Sequence, residues 1–314
     1  MSTTVIITAY KEPKTLYKQL KTVTNQTRLS DEIIVCAPDS LTQRVVLEYQ
    51  KNHPNVKLIK DQGIGKPAAL NLALQEASGE ILVLTDGDVE ICGNSLAALL
   101  KYFKNPRVGA VSGRPINTNA HTNKFGFWAY VLTEMAHKTR VSRRKKGEYV
   151  DCSGYLYAIR AGLVKNIPEN TLSDDALISR LIYNLGHEIT YAPEAKVNVK
   201  YPDNFRDWLK QKKRSTGGYA QNFPPARPVR QSVSGGGGGI KGGGRNGKMR
   251  GFRQEIAGIF QIFKYAKTPR EFYWTILLIF ARIILWLAIF WEIKIIKKPF
   301  AKIWQRVEST KNLP

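Results

Sequence analysis

The sequence predicts an α/β protein with a mostly parallel sheet, flanking helices and a separate apolar helix near the C-terminus. Strand-like and helical patterns alternate through about the first ninety residues, which is typical of a parallel sheet. The run Glu80 to Asp88, EILVLTDGD, contains four consecutive apolar residues of the kind buried on both faces of such a sheet. Phe272 to Trp291 is an apolar run of twenty residues with one charge.

Four strands and three helices are expected in order along the first stretch. The strand TTVIIT precedes a helix that begins at Pro13, because proline suits the first helical position. DEIIVCAP is the second strand, and Leu41 to Gln50 form the second helix. VKLI is the third strand, and the helix after it begins near Pro67 and ends at Gly79. With EILVLTDGD, the order βαβαβαβ predicts right-handed crossovers between parallel strands.

Two further elements are expected in the middle of the chain. In DCSGYLYAIR, Asp151 to Arg160, a polar turn precedes an apolar strand. In TLSDDALISRLIYNLGHE, Ser173 is a good N-cap, so Asp174 and Asp175 occupy the first helical turn. The helix dipole favours carboxylates there, and this structural role could account for them without any catalysis.

The formal net charge of +23 indicates an anionic partner such as nucleic acid, phospholipid or a phosphate-bearing substrate. Between Arg206 and Arg253, twelve Lys or Arg residues face one acid, Asp207. A second basic cluster, His137 to Lys146, is either a solvated face or a binding surface. A cytoplasmic membrane face explains this charge better than DNA does, so a membrane partner is expected and nucleic acid is not.

The apolar run Phe272 to Trp291 would reach roughly 30 Å as a helix, the thickness of the hydrocarbon layer. Lys and Arg flank both ends, so the positive-inside rule gives no orientation. Arg282 is costly in lipid, and the helix therefore either packs against a partner or lies in the membrane interface. The alternative is a buried helix of a soluble core.

Three segments are expected along the chain: a catalytic domain over 1–205, a basic segment with a mobile glycine-rich loop over 206–258, and a membrane-associated segment over 259–314. Nine glycines between Gly235 and Gly247 predict the loop. The three cysteines form no CxxC pair, so neither zinc nor disulfides are expected. The start has no secretory pattern, and a cytoplasmic catalytic domain is expected.

Asp86 and Asp88 stand one glycine apart where the buried strand EILVL ends. Ligands of open α/β sheets bind at the carboxyl ends of the strands, so this turn is the first candidate for a site. Two like charges this close repel each other, and a cation or hydrogen-bond donors must offset them.

Five polar clusters lie at the ends of expected elements: TAYKE (Thr8 to Glu12), Asp39, GIGKPAALN (Gly63 to Asn71), DGD and SDD. Together with QKKR at Gln211 to Arg214, their order and spacing resemble the family 2 inverting glycosyltransferases, which have a Rossmann-like GT-A type nucleotide-sugar fold. The resemblance covers about residues 3–220, roughly two thirds of the chain. It is nearest to the membrane-attached synthases of the cellulose and hyaluronan kind.

The resemblance implies a donor site with a divalent ion, Mg²⁺ or Mn²⁺, held by Asp88 and Asp86 against the two phosphates of a nucleotide-sugar. The donor-binding residues that it implies are Thr8, Ala9, Glu12, Asp39, Lys66, Asp86, Gln211 and Arg214. Asp39 is the candidate for contacting the base, and Lys66 for contacting phosphate or ribose. Glu12 and Asp39 could instead be ordinary turn residues, and Lys66 a solvated lysine.

The resemblance also implies an acceptor side. Asp175 aligns with the last acid of the family's Thr-Glu-Asp triplet and would be the general base, with Asp174 as the second choice. Cys152, Ser153 and Gly154 fall where the family has a small-residue turn beside the acceptor, although a plain strand-edge turn is equally compatible.

Gln211 and Arg214 fit the family's Gln-x-x-Arg-Trp signature, except that Ser215 replaces the tryptophan. This substitution leaves Arg214 its phosphate contact and weakens the case for a processive polymerase. The implied function is a single sugar transfer, with inversion, to a hydroxyl or lipid-linked acceptor at a membrane. A processive polysaccharide synthase subunit and a non-catalytic membrane scaffold of the same fold are the alternatives.

Overall fold

The structure, a computed structural model, describes residues 1–26, 32–220, 261–296 and 307–311. Within these residues eight strands form one mixed sheet. The strands are Thr3–Thr8 (β1), Glu32–Cys36 (β2), Val56–Ile59 (β3), Ile81–Asp86 (β4), Glu90–Ile91 (β5), Val108–Asn117 (β6), Leu156–Arg160 (β7) and Glu188–Val199 (β8). Their order across the sheet is β3-β2-β1-β4-β7-β6-β8-β5.

Eight α-helices lie in the described part of the chain. They are Pro13–Thr24 (α1), Ser40–Gln50 (α2), Lys66–Glu76 (α3), Ser95–Leu100 (α4), Lys124–Lys145 (α5), Asp174–Asn184 (α6), Phe205–Ala220 (α7) and Pro269–Phe290 (α8). Apolar residues of α1, α2 and α4 pack on one face of the sheet. Residues of α3 and α6 pack on the other face, so the sheet is buried between two helical layers.

The four strands β1 to β4 pair in parallel, which confirms the expected βαβαβαβ order. In the register, Thr8 lies beside both Cys36 and Asp86, so the carboxyl ends of β1, β2 and β4 meet at one edge. β7 runs antiparallel between β4 and β6, and β6 pairs in parallel with β8. The α/β class is confirmed: β1 to β4 form a parallel part of the sheet, and the remaining strands pair in a mixture of parallel and antiparallel directions.

A third apolar cluster lies outside the sheet and joins α5, α7 and α8. Its buried members include Phe127 and Trp128 of α5, Trp208 of α7, and Trp274 and Leu278 of α8. The ring of Phe127 lies against that of Trp274, and the ring of Trp128 lies against that of Trp208. The indole N–H of Trp128 donates to the carbonyl of Trp274 at 2.8 Å. The apolar helix is therefore built onto the catalytic body along one of its faces.

The apolar helix begins at Pro269, three residues before the expected start, because Thr268 and Glu271 form a reciprocal capping box there. It is the one helix in the described residues that is long and apolar enough to cross a membrane. The expected glycine-rich loop lies outside the described residues.

Candidate active site

A cavity of about 590 Å³ opens at the carboxyl ends of the parallel strands and is bordered by α5, α7 and α8. All but one of the residues expected at the site line it: Thr8, Ala9, Glu12, Lys66, Asp86, Asp88, Cys152, Ser153, Gly154, Asp174, Asp175, Gln211 and Arg214. The fold therefore joins the expected donor and acceptor residues in one space.

The DGD turn is tight against the end of β1. The Gly87 N–H donates to the Thr8 carbonyl at 2.9 Å. A Cβ at Gly87 would come within 2.6 Å of the Ala9 Cβ and 2.9 Å of Glu12 Oε2. Such contacts are not tolerated, which explains why a glycine separates Asp86 from Asp88 and why both carboxylates remain beside β1.

Lys66, at the start of α3, joins the two groups of acids. Its ammonium lies 2.7 Å from Asp86 Oδ1 and 3.4 Å from Asp174 Oδ2. Burial alone would lower the pKa of Lys66, but Asp174 and Asp86 hold it above its usual value. A charged lysine thus lies between the DGD turn and the first turn of α6.

Asp175 is fixed by three donors in a turn that faces the cavity. Its Oδ2 accepts the Gly154 N–H at 2.8 Å, and its Oδ1 accepts the Ser173 hydroxyl and the Ala176 N–H. A Cβ at Gly154 would lie 3.1 Å from Asp175 Oδ2, so glycine is needed for this close approach. The carboxylate is held in one orientation, as a general base requires.

Glu12 and Asp88 share the ammonium of Lys311, a residue near the end of the chain. Lys311 Nζ lies 2.7 Å from Asp88 Oδ2 and also contacts Glu12 Oε1. Burial raises the pKa of the Glu12 carboxyl to about 8, Asp88 adds to the rise, and Lys311 opposes it. Two lysines from opposite parts of the chain thus offset the acids around the DGD turn: Lys66 pairs with Asp86, and Lys311 pairs with Asp88 and Glu12.

Asp39, the expected base-contacting residue, is the exception and does not line the cavity. It caps α2 by accepting the Thr42 N–H, and it also accepts the Lys11 N–H at 2.7 Å. Partial burial by itself would raise the pKa of Asp39, but these hydrogen bonds hold that pKa below its usual value. Asp61, two residues after β3, does line the cavity, and burial raises the pKa of its carboxyl.

On α7, Gln211 and Arg214 lie on the face that borders the cavity. The Gln211 amide donates to the Tyr155 hydroxyl at 3.2 Å. Ser215, at the position of the signature tryptophan, is exposed and also borders the cavity. Gly218 packs α7 against the Ser173 turn, since a Cβ there would come within 2.4 Å of the Ser173 Cβ.

The small-residue turn at Cys152 to Gly154 directly precedes β7 and is hydrogen-bonded to β6 and α6. The Cys152 N–H donates to the Ser179 hydroxyl and the Ser153 N–H to the Ser112 hydroxyl. Burial raises the pKa of the Cys152 thiol to about 12, so this thiol remains protonated and is no nucleophile at neutral pH.

The cavity is also lined by basic side chains. His137 and Arg140 of α5, Lys200 after β8, Lys212 of α7 and Arg282 of α8 line it. The expected basic cluster His137 to Lys146 is thus divided, because its first members line the cavity and its last ones are exposed at the end of α5.

Sequence patterns missed several of these residues. Asp61 follows β3 as Asp39 follows β2, so its position at a strand end was an available signal. Arg282 is the one charge in an apolar run, which is a signal for a polar contact. Tyr155 and Lys311 carry no local pattern, because tertiary packing alone brings them to the cavity.

Comparisons with known proteins identify the family and the fold. The family model described as "Glycosyltransferase like family 2" matches residues 2–218. Poly-beta-1,6-N-acetyl-D-glucosamine synthase of Staphylococcus epidermidis is 24% identical over 215 residues, covering 67% of this chain and 52% of the relative. A probable glycosyltransferase of Bacillus subtilis is 23% identical over 228 residues, covering 67% and 53%. The chain spans about half the length of these curated relatives.

A mannosyltransferase of Pyrobaculum calidifontis, solved in complex with GDP-Man and Mn²⁺, has a similar fold. The TM-score is 0.57 at 20% identity, over 96% of this chain and 82% of that one. The similarity confirms the expected GT-A type fold.

Proposed function

The chain belongs to the glycosyltransferase-like family 2, and on this basis we propose that it transfers a sugar from a nucleotide-sugar to a hydroxyl or lipid-linked acceptor at a membrane, with inversion. The single observation that carries the proposal is that one cavity joins the DGD turn to Asp175. Lys66 connects the two by contacting both Asp86 and Asp174.

The acids at the strand ends fit a divalent cation. Lys311 places a positive charge 2.7 Å from Asp88 Oδ2, and this ion pair supports a role for Asp88 in holding a cation. No group of three metal-ligating side chains occurs in the described residues. Mg²⁺ is commonly held by one or two carboxylates together with substrate phosphates, so Asp88 and Asp86 would suffice with a diphosphate. A bound Mg²⁺ or Mn²⁺ would offset the charge of the departing nucleoside diphosphate.

The donor fits the part of the cavity at β1 and β3. Thr8, Ala9 and Asp61 line it, and the Asp61 carboxylate can accept an N–H from a nucleobase. Asp39 supports this wall by holding the Lys11 backbone in place. Arg214 suits the diphosphate because its guanidinium can donate two parallel hydrogen bonds to phosphate oxygens.

Asp175 is the proposed general base. It takes the proton of the acceptor hydroxyl while the acceptor oxygen bonds to the anomeric carbon and the bond from that carbon to the donor phosphate breaks. One displacement inverts the anomeric configuration. Asp174 is the weaker candidate because Lys66 neutralises it.

We further propose that α8 lies along the membrane surface. Trp274, Leu278, Ala281, Leu285 and Ile289 are buried against the catalytic body, over roughly 22 Å of helix. At the far end, Lys213 of α7 pairs with Glu292 at 2.9 Å. A helix held at both ends by one body cannot place those ends on opposite sides of a bilayer.

The opposite face of α8 is exposed and apolar: Phe272, Tyr273, Phe280, Ile283, Ile284, Leu287 and Phe290, followed by Trp291, Ile295 and Ile296. Helices with one such face lie in the headgroup region of a bilayer. Arg282 turns away from this face and lines the cavity, so its charge stays out of the lipid. The acceptor end of the cavity would then open beside the lipid, which favours a lipid-linked acceptor.

Labelling from one side of the membrane tests the orientation of α8. Lys267→Cys and Ile295→Cys, each in a Cys92→Ser background, should both react with an impermeant thiol reagent from the cytoplasmic side. The native Cys36 and Cys152 are buried and serve as unreactive references. Labelling of the two positions from opposite sides would mean that the helix spans the bilayer.

Hydrolysis and transfer assays with a panel of nucleotide-sugars and Mn²⁺ test the activity. Release of one nucleoside diphosphate that depends on Mn²⁺ and on Asp175 is expected. The name of the Staphylococcus epidermidis relative favours a second candidate, polysaccharide synthesis. Products extended by many sugars would support that candidate, whereas cellular function that survives Asp175→Asn would support a non-catalytic scaffold.

A further inference from the structure

The segment Val307–Lys311 is seated on the active-site cavity. Val307 and Thr310 are each 6% exposed and line the cavity, and a single 3₁₀ turn, Glu308–Thr310, joins them. The Ser309 N–H donates to Asp207 Oδ2 at 3.2 Å, which fixes the segment to the first turn of α7. This short segment, here called the tail plug, therefore has its own contacts with the catalytic body.

The tail plug ends with its ammonium at the centre of the donor site. Lys311 Nζ donates to Asp88 Oδ2 at 2.7 Å and also contacts Glu12. The side chains of Asp88 and Glu12 are 13% and 5% exposed, so Lys311 fills most of the space around their oxygens. Asp88 is also one of the two acids to which the proposed function assigns the divalent cation.

We propose that the tail plug is an intramolecular competitor of the metal–donor complex, with Lys311 occupying the cation position until that complex displaces it. The inference rests on the proposed function, because that function assigns Asp88 to the metal. While Lys311 is seated, its ammonium occupies Asp88 Oδ2, and a divalent ion bound to the same carboxylate would lie close enough to that ammonium for the two positive charges to repel each other.

The energetics favour a plug that can leave. A buried ion pair gains little net stability, because the desolvation cost of both charges offsets most of their attraction. A divalent cation with a diphosphate supplies more charge to the same acids, and the released Lys311 regains water. The tail plug is held at Asp207 by one backbone hydrogen bond, which also breaks at small cost.

Metal binding measured with and without a nucleoside diphosphate tests the competition directly. Mn²⁺ titrations of the full chain in detergent micelles, followed by the electron paramagnetic resonance of free Mn²⁺, would compare the native protein with Lys311→Met. A plug seated about nine tenths of the time weakens the apparent affinity about tenfold, so Lys311→Met should bind Mn²⁺ about tenfold more tightly. Lys51→Met removes an exposed lysine paired with Glu48 and is the matched control, expected to leave the affinity unchanged.

The outcomes separate this inference from the proposed function. Equal or weaker Mn²⁺ binding by Lys311→Met, with binding still dependent on Asp88, overturns the plug and leaves the metal site intact. Absence of Mn²⁺ binding in both proteins, with and without nucleoside diphosphate, overturns the metal site and the plug together.

Proteolysis of the native protein gives a second measurement that needs no variant. Trypsin cuts after lysine, and Lys311, whose side chain is half-buried, should be cut slowly while it is seated. Addition of Mn²⁺ with a nucleoside diphosphate should accelerate cleavage after Lys311 and leave cleavage after the exposed Lys51 unchanged, as followed by mass spectrometry. Protection of Lys311 that is unchanged or increased by these ligands overturns the plug.

Discussion

The charged side chains that line the cavity include an acidic group on the turns after the strands and at the start of α6, and a basic group on the helices; they are called here its acidic end and its basic end. At the strand ends, Asp61, Asp86 and Asp88 face the cavity together with Glu12 and the acids of α6. The other end is lined by the basic side chains of α5, α7 and α8, including Arg140 and Arg282. An acidic end suits a metal-bound diphosphate, and a basic end suits an anionic group on the acceptor.

The two ends also differ in how they are built. The acidic end lies on turns that directly follow β1, β3 and β4, so backbone register fixes its geometry. The basic end is assembled from three helices that contact one another through side chains. The difference suggests that chemistry is performed at the rigid end, whereas acceptor choice is made at the end that can vary by repacking.

The largest expected effect is at Asp175, which lies between the two ends. Asp175→Asn should reduce transfer by about a hundredfold to ten-thousandfold, because the base is lost and the amide cannot accept all three of the hydrogen bonds that hold the carboxylate. Nucleotide affinity, measured by calorimetry, should hardly change.

Asp174→Asn is the matched comparison for Asp175→Asn. It removes a partner of Lys66 and should impair transfer less. If Asp174→Asn were the more damaging change, or if Asp175→Asn abolished nucleotide binding as well, the role of general base would have to be reassigned.

The next effect tests the acidic end. Asp88→Asn should weaken Mn²⁺-dependent nucleotide binding by at least about tenfold to a hundredfold, the range found for groups that only support a metal ligand. Binding measured in the presence of a chelator should be the same in the variant and the native protein. Glu48→Gln is the control, since Glu48 is an exposed acid outside the cavity that pairs with Lys51, and loss of metal dependence in that variant would contradict the assignment.

A smaller effect is expected at the basic end. Arg282→Met keeps the packing of α8 and removes a charge from the acceptor wall, so the KM for an anionic acceptor should rise about tenfold or more. Donor hydrolysis without acceptor should be unchanged. Arg107→Met, which removes a surface partner of Glu188, is the control. A changed rate of donor hydrolysis in Arg282→Met would mean that the two ends do not act separately.

The same contrast explains how much the sequence could predict. The strands β1 to β4 and the helices between them follow from local periodicity, and the DGD turn follows from its place at a strand end. α5 and the basic wall were not predicted, because α5 mixes apolar, aromatic and basic residues around its circumference. Lys311 is far from Asp88 along the chain, and no local pattern indicates a contact between them.

Asp39 is a residue whose sequence pattern fits two different roles. The residue lies at a strand end, as a ligand-binding acid should, and its carboxylate is used to cap α2 and hold Lys11. A carboxylate at a helix start fits both roles, and the sequence does not distinguish them. Its role as a donor-binding residue stays a prediction, with Asp61 as the acid that faces the cavity.

Glu32, at the opposite end of the sheet from the cavity, provides an acid with a purely structural role. It accepts hydrogen bonds from Thr4, Ser78 and Lys57. Burial opposes its ionisation, but these donors, Lys57 first, lower the pKa of Glu32 from 4.5 to about 2. Glu32→Gln should therefore lower the free energy of unfolding at neutral pH by roughly 1–3 kcal/mol, with no effect on Mn²⁺ binding or transfer.

The pH dependence of this loss follows from the direction of the shift. A carboxyl whose pKa is lowered on folding contributes its full stability above the unfolded value of 4.5, and that contribution disappears as the pH falls towards about 2. The difference between the native protein and Glu32→Gln in urea unfolding should shrink over that interval. Glu80 is an exposed acid that accepts the Ser2 N–H. The free energy of unfolding of Glu80→Gln should therefore be almost the same as that of the native protein at any pH. A change in metal affinity in Glu32→Gln would mean that the strand ends are not electrostatically independent of the opposite side of the sheet, and the contrast between structural and catalytic acids would fail.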